Sequence, residues 1–100
     1  MQLNYFVLYV SDLAKSAKFY SSLGFDLVEE QHGQGPKHYS CTFGGITLEL
    51  YPAGKRPVTR IRLGLERATN PTFEGHFNGK ASNVVNDPDV ISVELIQGQE

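Results

Sequence analysis

Apolar and aromatic side chains crowd residues 3–10, Leu-Asn-Tyr-Phe-Val-Leu-Tyr-Val, and the run stops at Ser11-Asp12. Side chains of these types fit a pleated, half-buried surface, so a strand is predicted there. Asp12 stands where a helix N-cap belongs. Leu13, Ala17, Tyr20 and Leu23 follow at i, i+4, i+7 and i+10, one face of a helix, with Lys15, Lys18 and Ser22 on its other faces. Gly24 supplies a left-handed stop. Three strand-like runs come next, at 25–31, 37–43 and 46–51, parted by His32-Gly33-Gln34-Gly35-Pro36 and by a tight Gly44-Gly45 turn.

Residues 1–54 thus form a β-α-β-β-β module, and Pro52, Gly54 and Pro57 make the segment after its last strand a connector. A second module, residues 55–100, opens with a strand over 58–66. Its middle is broken by Pro71, Gly75 and Gly79, which interrupt every window long enough for a helix of more than two turns. Strands return at 82–86 and 90–97 around an Asp87-Pro88-Asp89 turn. The halves are similar: Ile46-Thr47-Leu48-Glu49-Leu50 matches Ile91-Ser92-Val93-Glu94-Leu95 at an offset of 45, and residues 3–10 lie over 58–65 at an offset of 55. The second copy is shorter where the helix should be.

The fragments Val10-Ser11-Asp12-Leu13, Ser16, Phe19-Tyr20, Leu23-Gly24-Phe25, Leu48-Glu49-Leu50-Tyr51, Asp87-Pro88-Asp89 and Val93-Glu94-Leu95, in this order, resemble the vicinal oxygen chelate superfamily of glyoxalases, bleomycin-resistance proteins and extradiol dioxygenases. The resemblance implies an α+β fold: paired βαβββ modules forming a curved mixed sheet around a cleft, here with the second module lacking its helix. It also implies metal ligands, in the enzymes, on the first and last strands of each module. Those positions carried onto this chain are Tyr5, Glu49, Arg60 and Glu94. Both carboxylates remain and both expected nitrogen ligands are gone. Val90 stands where the family's Asp-Pro-Asp-Gly turn has glycine, so that turn is expected to be strained or of another type.

The altered set argues against catalysis by a bound metal. An open catalytic site needs three or more lone-pair donors. A guanidinium only donates hydrogen bonds, and a phenol ligates only as phenolate, far from its usual pKa of ~10. Arg60 is instead expected to neutralise Glu49 and Glu94 across the cleft. With phenols at Tyr5, Tyr9 and Tyr51 and a further cation at Arg62, the cleft suits a polar or cationic small molecule held without a metal cofactor. Solvated residues on an open sheet face are the plainer alternative.

Alternation sharpens what the lost helix means. If Glu49, Arg60 and Glu94 face the cleft, module two turns Ile61, Leu63, Leu65, Ile91, Val93 and Leu95 the other way, with no helix to cover them. Six such side chains left in water forgo roughly 1.5–3 kcal/mol each, comparable with a domain's whole stability of ~5–15 kcal/mol. A lid carrying Phe73 and Phe77, or another subunit, is therefore expected over that face, and the resemblance, with the family's frequent dimers, implies a homodimer.

Composition narrows the partners. Nine Lys and Arg against eleven Asp and Glu give a formal net charge of −2, with no basic stripe for nucleic acid. Apolar runs are short and no leader is apparent, so a cytoplasmic protein of one domain, residues 1–100, without membrane contact is expected. A lone cysteine, Cys41, excludes an internal disulfide and alternates with Tyr39 and Phe43, as a buried structural thiol would. His38 cannot serve Cys41 as base, since residues three apart on a strand face opposite ways. His32, His38 and His76 lie outside the family's ligand positions; the first two bracket a glycine-rich loop and could share a metal only if that loop folds to bring them together. Gly33-Gln34-Gly35 lacks the features of a phosphate loop. The leading expectation is a sequestering binder of the bleomycin-resistance type. The alternatives are a metal-dependent lyase, isomerase or dioxygenase with atypical ligands, and a degenerate family member acting in protein association.

Overall fold

The computed structural model describes residues 1–67 and 82–97. Its elements run β1 (Tyr5–Val10), α1 (Leu13–Ser22), β2 (Val28–Glu30), β3 (His38–Phe43), β4 (Ile46–Pro52), β5 (Leu63–Arg67), β6 (Ser82–Asn86) and β7 (Ser92–Gln97). Asp12 caps α1, its carboxylate accepting from the Lys15 N–H at 3.1 Å. At the other end Phe25 N–H reaches the Tyr20 carbonyl and Gly24 N–H that of Ser21, with Gly24 at φ 104°. This is a Schellman cap, which requires the left-handed residue that glycine supplies.

The strands form two mixed sheets, ordered β1-β4-β3-β2 and β5-β7-β6. In each, the first strand of the module pairs parallel with the last, β1 with β4 and β5 with β7, and the remaining ladders are antiparallel. The repeated topology matches the internal similarity. Among the described residues module two has no helix, in line with the expected α+β architecture, and residues 68–81, with Phe73 and Phe77, lie outside the described part.

Three expectations are corrected. The strand foreseen at 25–31 spans only Val28–Glu30, and ahead of it Phe25 and Leu27 pack against the core. The strand foreseen at 58–66 begins at Leu63; before it the chain runs beside β1, where Thr59 N–H donates to the Tyr9 carbonyl and Tyr9 N–H to the Thr59 hydroxyl. Most consequential, the apolar face of module two is covered. Val93 and Leu95 are fully buried and Ile91 nearly so, in one contiguous cluster with Leu8, Val10, Ala17, Tyr20, Leu23, Leu48 and Leu50. Leu63 and Leu65 pack on its margin, and Ile61 alone of the six is exposed. The core of module one therefore does what a second helix would do, and this face calls for neither a lid nor another subunit.

Asp87 fastens the arrangement. Its buried carboxylate accepts from the Tyr20 hydroxyl at 2.8 Å, tying the β6–β7 turn to α1, and from the N–H groups of Asp89 and Ile91. Burial, and then the Asp87 hydrogen bond and charge, push Tyr20 ionisation well above its ordinary value. Val90 closes the turn at φ 64°, the position where a hairpin of this kind takes glycine.

Candidate functional site

The sheet of module one carries its polar side chains on the face away from the core. Register defines the rows. Glu49 lies between Ser40 of β3 and Val7 of β1; one row on, Glu30 pairs with His38 and Tyr9 with Tyr51. Cys41 pairs with Leu48 on the opposite, buried face, so it and His38 point apart as alternation requires.

A row of rings crosses this face. His38 stacks on Tyr51 with centroids 4.2 Å apart and planes 7° from parallel. His32 lies 5.1 Å from His38, and Tyr9 lies 6.2 Å from Tyr51. The Arg56 guanidinium sits 5.0 Å from the centroid of the Tyr9 ring, over its face, in a cation–π contact. Glu30 and Glu49 flank the row, each with a carboxylate oxygen 3.8 Å from His38 Nε2. Partial burial, then the charge of Glu49, raise the Tyr51 hydroxyl above the usual tyrosine range, keeping it a neutral donor.

The residues expected to line one cleft fall into separate groups. Tyr9, Glu49 and Tyr51 belong to the ring row. Tyr5 stands at the start of β1, opposite Thr47 and 61% exposed. Arg62 pairs with Glu94 at 3.5 Å in module two. Arg60 pairs with neither Glu49 nor Glu94 among the described residues: its guanidinium donates to the Asp89 carbonyl in the β6–β7 turn. No hydrogen bond or ion pair joins Glu49 to Arg60, Arg62 or Glu94 among the described residues.

Register also corrects the offset between modules. Val7 is opposite Glu49 and Gly64 is opposite Glu94, so the first strands correspond at 57, not 55. The counterpart of Tyr5 is then Arg62, not Arg60. A slip of two preserves the face, which is why alternation gave no warning. The four family positions, Tyr5, Glu49, Arg62 and Glu94, do not fit a catalytic divalent ion. Arg62 has no lone pair to give, and it is already paired to one of the two carboxylates.

Glu30, His32 and His38 are not at family positions; the sequence allows a metal on His32 and His38 only if their loop folds suitably, and gives no sign that Glu30 joins them. A hollow of about 500 Å³ lies elsewhere, between the end of α1 and β5, lined by Leu23, Phe25, Phe43, Leu65 and Glu66. No helix among the described residues is long and apolar enough to cross a membrane.

Residues 2–93 match the family model described as the Glyoxalase/Bleomycin resistance protein/Dioxygenase superfamily. Among curated proteins no match is found. Among solved structures, the chain is similar to a lactoylglutathione lyase from Agrobacterium tumefaciens, with TM-score 0.67, 18% identity and coverage of 97% of this chain and 93% of that one. It is similar also to TnmS3, an antibiotic binding protein from Streptomyces sp. CB03234, with TM-score 0.67, 23% identity and coverage of 99% and 97%. The hypothetical protein SA1046 from S. aureus gives TM-score 0.70 at 18% identity, with coverage of 98% and 95%. At these identities the likeness is one of fold.

Proposed function

Because the chain belongs to the glyoxalase/bleomycin resistance protein/dioxygenase superfamily, we propose that it is a cytoplasmic binder of small molecules, holding a polar or cationic ligand by sequestration and using no metal at the family's four positions. The observation that carries this reading is the row Tyr9–Tyr51–His38, flanked by Glu30 and Glu49. Aromatic faces attract cations and stack on planar groups, and the two carboxylates add charge complementarity. Arg56 above Tyr9 occupies the kind of place that a ligand's cation would take. An antibiotic binding protein among the structural neighbours is consistent with this use of the fold. The Arg62–Glu94 pair and Tyr5 lie outside the row, and we assign them at most an outer role. The homodimer that the resemblance implies would have to use a surface other than the covered face of module two, and sedimentation at micromolar concentration reads it.

The test is a thermal-shift screen with planar aromatic cations and their neutral analogues. A true ligand at a hundred times its Kd stabilises by about 2.7 kcal/mol. Tyr51→Ala and Glu49→Gln should each weaken it about tenfold or more, equivalent to ~1.4 kcal/mol. A ligand that binds equally well after both substitutions would refute the assignment.

A further inference from the structure

Three lone-pair donors on the β2–β3 hairpin converge outside the four family positions. Glu30 and His38 oppose one another across the ladder, and His32 lies two residues beyond Glu30. One ligand atom from each lies within 4.8 Å of the others.

His38 decides the chemistry of the spot. It is 1% exposed, and its Nδ1 is 3.2 Å from the Pro36 carbonyl oxygen. A carbonyl only accepts, so this contact is a hydrogen bond when the ring proton sits on Nδ1, leaving Nε2 as a bare lone pair. Nε2 has no hydrogen-bond partner among the described residues. Its nearest polar neighbours are the Glu30 and Glu49 carboxylates, acceptors themselves, at 3.8 Å each. A buried lone pair facing two anions is unfavourable unless a cation lies between them. The surroundings hold the donors in this pose: Tyr51 stacks on the His38 ring, and the Ser40 hydroxyl donates to Glu30. Contacts of this kind orient ligands in metal sites.

We propose that Glu30, His32 and His38 bind a divalent first-row transition metal of the zinc type, with Glu49 as the adjoining carboxylate. Two imidazoles and a carboxylate select such ions over calcium or magnesium, which prefer oxygen. Bonds of ~2.0–2.1 Å place two donors of one ion about 3–4 Å apart. The 3.8 Å separations meet that, and the exposed His32 closes the remainder by a small side-chain rotation. Three protein donors leave a coordination position open to solvent or to a ligand. The site shares Glu30, His38 and Glu49 with the small-molecule reading, but its test concerns the bare ion, so the two readings fail separately.

The experiment uses the full chain after chelator treatment, titrated with Zn²⁺ by calorimetry and with Co²⁺ by visible absorption. One ion per chain with Kd below about 10 µM is expected, with Co²⁺ bands of low coordination number. His32→Ala and Glu30→Gln, both at accessible positions, should each weaken binding about tenfold or more while leaving the urea midpoint in place. Absence of stoichiometric binding would overturn the proposal. Binding that survives both substitutions would overturn it too. So would binding lost in Glu94→Gln but kept in His32→Ala, which would put the ion at the family's positions.

Discussion

Val90 holds a β-branched side chain in left-handed backbone, at φ 64°. For an L-residue this conformation costs ~1–2 kcal/mol, with the branched side chain toward the upper end. Little is gained in return, since Val90 is 71% exposed. The turn persists because others hold it: Asp87 N–H donates to the Ile91 carbonyl, Val90 N–H donates to the Asp87 carbonyl, and the Asp87 carboxylate takes two further N–H groups. Val90→Gly removes the strain but gives the unfolded chain extra freedom worth ~0.5–1 kcal/mol. The net expectation is a gain of about 1 kcal/mol, which for a domain of this size raises Tm by roughly 4–8 °C. Urea unfolding with an unchanged m-value is the measurement. Val90→Ala keeps the positive φ and should recover only a small part of the gain. The reasoning fails if the glycine variant is no more stable than the parent, or if alanine does as well as glycine.

Leu95→Ala should cost about 2–5 kcal/mol in urea unfolding, because Leu95 is fully buried in the core shared by both sheets; a cost below ~1 kcal/mol would mean that module two does not share that core. Tyr20→Phe strips the buried Asp87 carboxylate of a donor and should cost about 1–3 kcal/mol. The pH dependence follows from the raised Tyr20 ionisation: unfolded tyrosine ionises near ~10, so its stabilising effect is complete below that pH and declines as pH rises above it. The parent should accordingly lose stability more steeply than Tyr20→Phe in alkaline denaturation. Arg62→Ala, which breaks a largely exposed pair with Glu94, should change stability by less than ~1 kcal/mol.

Much of the fold was legible in local chemistry. Asp12 and Gly24 bound the helix at both ends, and the Gly44-Gly45 turn sets the β3–β4 register. The strained turn at Val90 was readable from one missing glycine. What failed were inferences about packing between modules. Six apolar positions without their own helix looked uncovered, yet nothing in alternation says which partner a face will find. The Arg60 assignment failed for a narrower reason, since a two-residue slip leaves every side chain on its proper face and only the β5–β7 pairing exposes it.

The His38 cluster marks the boundary between what was hidden and what was overlooked. Counting back from the Gly44-Gly45 turn puts Phe43 opposite Ile46 and Ser40 opposite Glu49. His38, two residues before Ser40, then shares the face of Glu49 and falls beside Tyr51. That much needed no coordinates. The pairing of Glu30 with His38 did, because the loop of residues 31–37 is long enough to permit several registers. Comparison with the family drew attention to four positions, and at those positions this chain has lost its nitrogen donors. His38 nonetheless stands beside Glu49, and His32 beside His38, both supplied by the neighbouring hairpin. Their joint use in metal binding would explain how Glu49 can persist at a family position whose nitrogen ligands are gone.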